Sequence, residues 1–295
     1  MHLLEEIYNR SPIILQNVMI SAYGLHLKRE RYGGEYARIL AELRESEKFS
    51  EFKLRQLQEE QFSCLIRDAF NHVPYYRESW KQAGLNPEDI TFNSMRQVLP
   101  IIAKEDLREH NERFKSELIN EHEVIKITTS GTTGKPVTIY TSKSVRQANY
   151  AFMTRFLNWS GIHHNEKSVT FAGRTFIPPS QTNPPFWRSN WPNRNYLFSS
   201  FHLSPENIPF YIKALEQIQP VYIDSYPSAI LAIAKFLIEE SIKINLHLKA
   251  IVTSSETLYS EHRELIEKAF NTKVVDQYGS AEMAVFVGQC EQGKY

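Results

Sequence analysis

The densest run of phosphate-compatible residues in the chain is Thr128-Thr129-Ser130-Gly131-Thr132-Thr133-Gly134-Lys135-Pro136. Small hydroxyl and glycine residues let backbone N–H groups close around an anion, and a single lysine adds a cation. That combination suits polyphosphate oxygens. The flanks, residues 124–127 and 137–140, are rich in β-branched side chains, so the segment reads as strand, loop, strand. A Walker A loop needs glycine, four residues, then Gly-Lys-Ser/Thr at the start of a helix. Here Thr129 stands where the first glycine belongs, Pro136 follows Lys135, and a strand follows in turn. A P-loop NTPase is therefore disfavoured. The bland alternative is a hairpin of solvated threonines.

Two further strings lie near the end of the chain. Asp276-Gln277-Tyr278-Gly279-Ser280-Ala281-Glu282 follows a short apolar run and ends in a carboxylate able to ligate a hard cation. Val252-Thr253-Ser254-Ser255-Glu256-Thr257-Leu258 also follows an apolar run. Taken singly, each has a plain reading. Tyr278 would be a core aromatic, Glu282 an acid at a helix start, and Glu256 an acid in the first turn of a capped helix.

Together these strings change the weighing. Ser130 to Pro136 resembles the phosphate-binding motif of adenylate-forming enzymes, the superfamily of acyl-CoA synthetases, luciferases and peptide-synthetase adenylation domains. Within it the chain is most similar to the phenylacetate–CoA ligase and CapK-like branch. His72-Val73-Pro74-Tyr75-Tyr76-Arg77, the stretch from Leu99-Pro100 to Lys104-Glu105-Asp106-Leu107, and Tyr226-Pro227-Ser228 resemble further segments of that branch. The resemblance runs from about residue 55 to the end. It implies ATP and Mg²⁺ as cofactors, with CoA as one acceptor. It assigns Thr129, Ser130, Gly131, Thr132, Thr133, Gly134 and Lys135 to the phosphates. Ser255, Glu256 and Thr257 fall near adenine and ribose, and Gln277, Tyr278, Gly279 and Ser280 complete the nucleotide contacts. Tyr278 would lie against the base and Glu282 would hold Mg²⁺, with Lys135 and Glu282 the catalytic pair. The departures are Ala281 where the motif often has threonine, Ser254-Ser255 in place of glycines, and Thr257 in place of proline.

The implied reaction is attack of a carboxylate on the ATP α-phosphate, giving an acyl-adenylate, followed by transfer to a thiol, amine or hydroxyl. The partners are thus a carboxylic acid and an acyl acceptor. The resemblance also implies a small C-terminal domain carrying a catalytic lysine, which this sequence does not contain. The chain as given is therefore expected to bind nucleotide weakly and to turn over little. A second reading stays open: a degraded relative acting as a binding or scaffold component in polysaccharide or natural-product biosynthesis.

The elements that must hold these strings follow from periodicity. Residues 1–110 read as a helical region. Residues 36–66 place apolar side chains mostly three and four apart, the pattern of an amphipathic helix, and Ser11-Pro12 reads as a helix start. Residues 111–295 alternate strands (168–171, 221–224, 248–253, 273–276) with helices (143–159, 210–218, 227–240, 260–270). That pattern predicts an α/β core with a largely parallel sheet, the nucleotide-binding core of the adenylate-forming fold's large domain. Residues 174–209 read as a long loop rich in proline and aromatics, a candidate acyl or aryl pocket. Arg174 reads as an exposed arginine.

Composition excludes several classes. The 295 residues carry 34 basic and 34 acidic side chains, so net charge is zero and nucleic acid is not an expected partner. Two cysteines, Cys64 and Cys290, cannot build a disulfide framework. Acids at Glu5 and Glu6 argue against a signal peptide, and residues 12–27 are too short and polar to span a bilayer, although an interfacial helix remains open there. A cytoplasmic protein is expected, and a homodimer stays open. His163-His164 lacks partners at metal spacing, Cys290 alone makes no zinc site, and no Gly-x-Ser-x-Gly elbow occurs.

Overall fold

The computed structural model of the chain describes residues 2–129, 136–173 and 175–295. Its helices are α1 (His2–Arg10), α2 (Ile13–Tyr32), α3 (Tyr36–Ser46), α4 (Glu51–His72), α5 (Pro74–Gln82), α6 (Met95–Val98), α7 (Lys104–Glu109), α8 (Lys143–Trp159), α9 (Ile208–Ile218), α10 (Pro227–Glu239) and α11 (Ser260–Phe270). Its strands are β1 (Val124–Thr129), β2 (Val137–Ser142), β3 (Ser168–Ala172), β4 (Trp187–Asn190), β5 (Asn195–Ser199), β6 (Tyr222–Ser225), β7 (Ala250–Ser254), β8 (Val274–Gly279) and β9 (Phe286–Gly288). The chain forms two compact units. The first comprises Met1–Gly33, Tyr150–Ser280 and Val285–Tyr295, and the second Gly34–Asn149 and Ala281–Ala284.

The first unit is built on a seven-stranded sheet in the order β4-β5-β3-β6-β7-β8-β9. The five inner strands are parallel and the two edge strands antiparallel. Alternation along each strand sends side chains to two faces. Val169, Phe171, Ile223, Ile251 and Val274 join Tyr211, Leu215, Ile230, Ile233 and Ile266 of α9–α11 in the largest core. Ala250, Val252 and Val275 point the other way, against Phe156 of α8 and Ile162. Helices on both faces are what parallel crossovers produce. The expected α/β core with a parallel-rich sheet is what forms.

Residues 174–209 are not one loop. They contain β4, β5 and a short 3-10 turn, Trp191–Asn193. The edge strand β4 would leave backbone groups unpaired, and α2 covers it with polar side chains. Asn17 Oδ1 accepts from Ser189 N–H at 2.9 Å, Ser21 Oγ accepts from Trp191 N–H at 3.1 Å, and Ser21 Oγ donates to the Ser189 carbonyl at 3.3 Å. This explains the polar residues inside an otherwise apolar helix. No helix among the described residues is long and apolar enough to cross a membrane.

The second unit holds α3–α7 and the β1–β2 hairpin. Among the described residues one of its buried clusters is small: Ile66, Trp80 and Ile90, with Phe62, Phe70 and Tyr76 packed against them. The stretch 36–66 forms two helices rather than one. Ser50 caps α4, its hydroxyl accepting the Lys53 N–H at 3.3 Å, and so restarts the helix. At the other predicted start, Pro12 is the N-cap of α2, while Ser11 Oγ bonds back to the Ile7 carbonyl at 2.7 Å.

Candidate functional site

In an open parallel sheet, ligands gather outside the carboxyl ends of the strands, near the point where strand order reverses. In the first unit that reversal falls at β3, between β5 and β6. The loops leaving β3, β6, β7 and β8 emerge at this edge. They approach closely: a Cβ on Gly173 would fall 2.5 Å from the Tyr226 hydroxyl, so only glycine fits there without moving the tyrosine.

The β7 loop carries Ser255, Glu256 and Thr257. Ser255 has φ +70°, a left-handed conformation that favours glycine. The serine that departs from the family motif thus holds a glycine-like backbone and carries strain. Glu256 does not sit in the first turn of α11, which begins at Ser260. Its carboxylate instead crosses to the start of α10, accepting the Ser228 N–H and hydroxyl, each at 2.9 Å. An acid at a helix N-terminus meets unpaired N–H groups and the positive end of the dipole. Glu256 therefore ties the β7 loop to the Tyr226-Pro227-Ser228 segment.

Gln277, Tyr278 and Gly279 extend β8 beyond the predicted strand and pair with Gly288, Val287 and Phe286 of β9. Ser254 and Gln277 are partners in the β7–β8 ladder, so the second and third strings of the sequence lie side by side. Tyr278 is 62% exposed and is not a core aromatic. Ser280 Oγ is buried with no hydrogen-bond partner among the described residues. Such an orphaned hydroxyl costs free energy unless something accepts it. Glu282 is exposed, in the 281–284 turn between β8 and β9, and is not in a helix.

β1 and β2 pair antiparallel, with Thr128 opposite Thr138 and Thr129 opposite Val137. Both predicted flanking strands are therefore present, and a strand rather than the helix of a Walker loop follows Pro136. Ser130, Gly131, Thr132, Thr133, Gly134 and Lys135 lie outside the described residues, as does Arg174. Polar groups of the second unit brace the hairpin. Asn111 Nδ2 donates to the Thr138 carbonyl, and the Tyr140 hydroxyl donates to Glu112. Lys115 lies 5.6 Å over the Tyr140 ring. The Tyr140 hydrogen bond, with help from Lys115, holds the Glu112 carboxyl below its ordinary range. The His72–Arg77 string works structurally: Arg77 forks onto Glu117 at 2.8 and 3.0 Å, and Tyr75 stacks on Phe114 at 4.0 Å.

The sequence assigns no role to two acids of this sheet, although Asp276 opens the 276–282 string. Asp224 stands near the end of the central strand β6, and burial pushes its carboxyl up to about 6. Asp276 is buried and accepts hydrogen bonds from Thr253 and Tyr295. Among the described residues no group of three His, Cys, Asp or Glu side chains is arranged to hold a metal by itself. In nucleotide sites Mg²⁺ is commonly held by one carboxylate and the substrate's own phosphates, so the lack of such a cluster does not count against a nucleotide.

The fold is the parallel-rich α/β fold of adenylate-forming enzymes. Solved structures agree. A 2-hydroxyisobutyryl-CoA ligase in complex with 2-HIB-AMP and CoA in the thioesterification state matches 83% of this chain and 53% of its own, with TM-score 0.65 at 23% identity. No family model matches the chain. Protein CapK of Staphylococcus aureus is 33% identical over 292 residues, 99% of this chain. A phenylacetate-coenzyme A ligase of Pseudomonas putida is 25% identical over 234 residues, 78% of this chain. The chain is thus CapK-like over nearly its whole length and phenylacetate–CoA ligase-like over most of it. It spans 63% of the length of CapK and 51% of that of the Pseudomonas enzyme.

Proposed function

We propose that the chain is the nucleotide-binding part of an ATP-dependent ligase. The ligase activates a carboxylic acid as an acyl-adenylate and passes the acyl group to a thiol such as CoA. The observation that carries this reading is Tyr278. A large aromatic held 62% exposed at the end of a core strand, beside an orphaned Ser280 hydroxyl, suits a flat base and an anion better than a packing role.

In this reading Thr129 to Gly134 and Lys135 receive the β- and γ-phosphates, and Tyr278 lies against adenine. Gln277 and Gly279 flank the base, and Ser280 supplies the hydroxyl that Ala281 lacks. Glu282 is the Mg²⁺ ligand; the bound ion would offset charge near the α-phosphate. Ser255 and Thr257 approach adenine and ribose, with Glu256 holding their loop. Little covalent chemistry is asked of the protein, since positioning and charge neutralisation dominate phosphoryl and adenylyl transfer. Residues 1–110 and 111–295 then form the helical part and the nucleotide-binding core of one large domain.

Carboxylate-dependent pyrophosphate exchange by the full-length gene product, across a panel of aryl and alkyl acids, tests the activity. At least one acid should drive exchange, and Lys135→Ala or Glu282→Ala should reduce it by about a hundredfold. Exchange unaffected by both substitutions would refute the site.

A further inference from the structure

The β8–β9 pair is short. Three residue pairs join Gln277–Gly279 to Phe286–Gly288, and so small a ribbon needs support from outside itself. That support comes from a buried polar cluster just below Gln277. Asp276 is 7% exposed, Gln289 8% and Thr253 0%.

The bonds run in a closed circuit. Gln289 N–H donates to the Asp276 carbonyl at 3.0 Å, extending the ladder by one rung. The chain then turns away, and the Gln289 side chain completes the next rung, its Oε1 accepting the Asp276 N–H at 3.0 Å. The same Oε1 accepts from Arg263 Nη2 of α11 at 2.7 Å. Arg263 Nη1 donates to the Val274 carbonyl in β8. The Gln289 Nε2 donates to the Gly293 carbonyl at 3.2 Å, which closes the turn that brings Tyr295 back. The Tyr295 hydroxyl donates to one Asp276 carboxylate oxygen and Thr253 Oγ1 to the other. One acid and one amide thus gather β7, β8, α11 and the 290–295 turn. Partial loss is costly in such a network, because every remaining buried group then lacks a partner.

We propose that Asp276 and Gln289 are positioning residues for the candidate nucleotide site. They fix β8 where it carries Tyr278, and they fix both roots of the connection that carries Glu282. Neither side chain touches the ligand; both act by denying Tyr278 a second arrangement. The functional half of this inference rests on the nucleotide reading above, whereas the mechanical half does not.

The test pairs hydrogen exchange with Mg-ATP titration on the chain. Asp276→Asn and Gln289→Leu should speed amide exchange at Tyr278, Gly279, Phe286 and Val287 by about tenfold or more, with exchange at β3 and β6 unchanged. The same variants should weaken Mg-ATP binding by about tenfold. Gln289→Leu keeps most of the volume and removes both polar atoms, so a merely volume-filling role predicts wild-type readouts in it. Gln289→Glu keeps the acceptor oxygen but loses the donor to the Gly293 carbonyl, and should fall between Gln289→Leu and wild type. Exchange at the hairpin equal to wild type in both Asp276→Asn and Gln289→Leu would overturn the proposal, whatever nucleotide does. Loosened hairpins with unaltered Mg-ATP affinity would overturn the positioning role. Tyr278→Ala serves as the separate arm: if it binds Mg-ATP as wild type does, the nucleotide reading fails while the exchange data still judge the lock.

Discussion

The two units carry their proposed nucleotide-binding residues, for the base in the first and for the phosphates in the second, on differently built strands. The base strands are β7 and β8, inside a seven-stranded sheet with helices on both faces. The phosphate strands, β1 and β2, form a two-stranded ribbon braced by Asn111, Glu112 and Lys115 through polar contacts. A ribbon of two strands is marginal alone, so its braces decide its order. A strand inside a packed sheet takes its order from burial. One is therefore set by a large hydrophobic core, and the other leans more on polar braces beside the buried Val137, so the two should fail under different insults.

The largest effect expected is on the cores. Ile230→Ala, in the large cluster of the first unit, should cost about 4 kcal/mol of stability, and Ile66→Ala, in the small cluster of the second, about 2 kcal/mol, because a looser site relaxes around the lost volume. Chemical denaturation of each variant measures this. Equal costs would remove the contrast between the units. Next, Glu282→Ala should weaken Mg-ATP binding by about tenfold while leaving the melting temperature within about a degree, as loss of one exposed charged ligand should. Calorimetry and thermal melts together check both parts.

A smaller effect has a defined pH dependence. The Asp224 carboxyl is pushed from 3.8 to about 6 by burial, so the folded state holds its proton more tightly than the unfolded chain. Its contribution to stability is complete below pH 3.8 and is lost as pH rises through about 6. Asp224→Asn should therefore stabilise the protein at pH 8 by about 1 kcal/mol, discounted for the solvent that reaches a half-buried carboxylate, with the gain gone near pH 4. Melting curves at the two pH values decide it. A gain of the same size at both would show that charge is not the cause. The smallest effect expected is at Ser255, where Ser255→Gly should relieve the φ +70° strain and raise stability by about 0.5 kcal/mol in urea titrations.

The sequence made the inner strands and their helices legible, because residues 221–224, 248–253 and 273–276 are short apolar runs between helical periods. β4 was hidden. Its Trp187-Arg188-Ser189-Asn190 places an arginine at a core position, 1% exposed. Burial of that guanidinium is made tolerable by neutral acceptors: Gln16 Oε1, Gln181 Oε1 and the carbonyls of Pro185 and Trp187. Such a donor set comes from residues distant in sequence, so no local pattern announces it. The same reason hid Gln289 and the role of Asp276, which opens a recognisable string but whose partners come from other elements. Tyr278 was legible only because its neighbours form a recognisable string; its exposure, unlike its identity, needed the sheet. The pairing of Glu256 with Ser228 joins positions 28 residues apart and replaced the expected helix-start role.

The central claim is that Tyr278 and its strand form a base-binding surface. Titration of Mg-ATP into the chain and into Tyr278→Ala, followed by calorimetry, tests it most directly. The account predicts measurable binding to the wild-type chain and affinity about tenfold weaker in the variant, in keeping with one lost stacking contact. Equal affinity in the two proteins would contradict it.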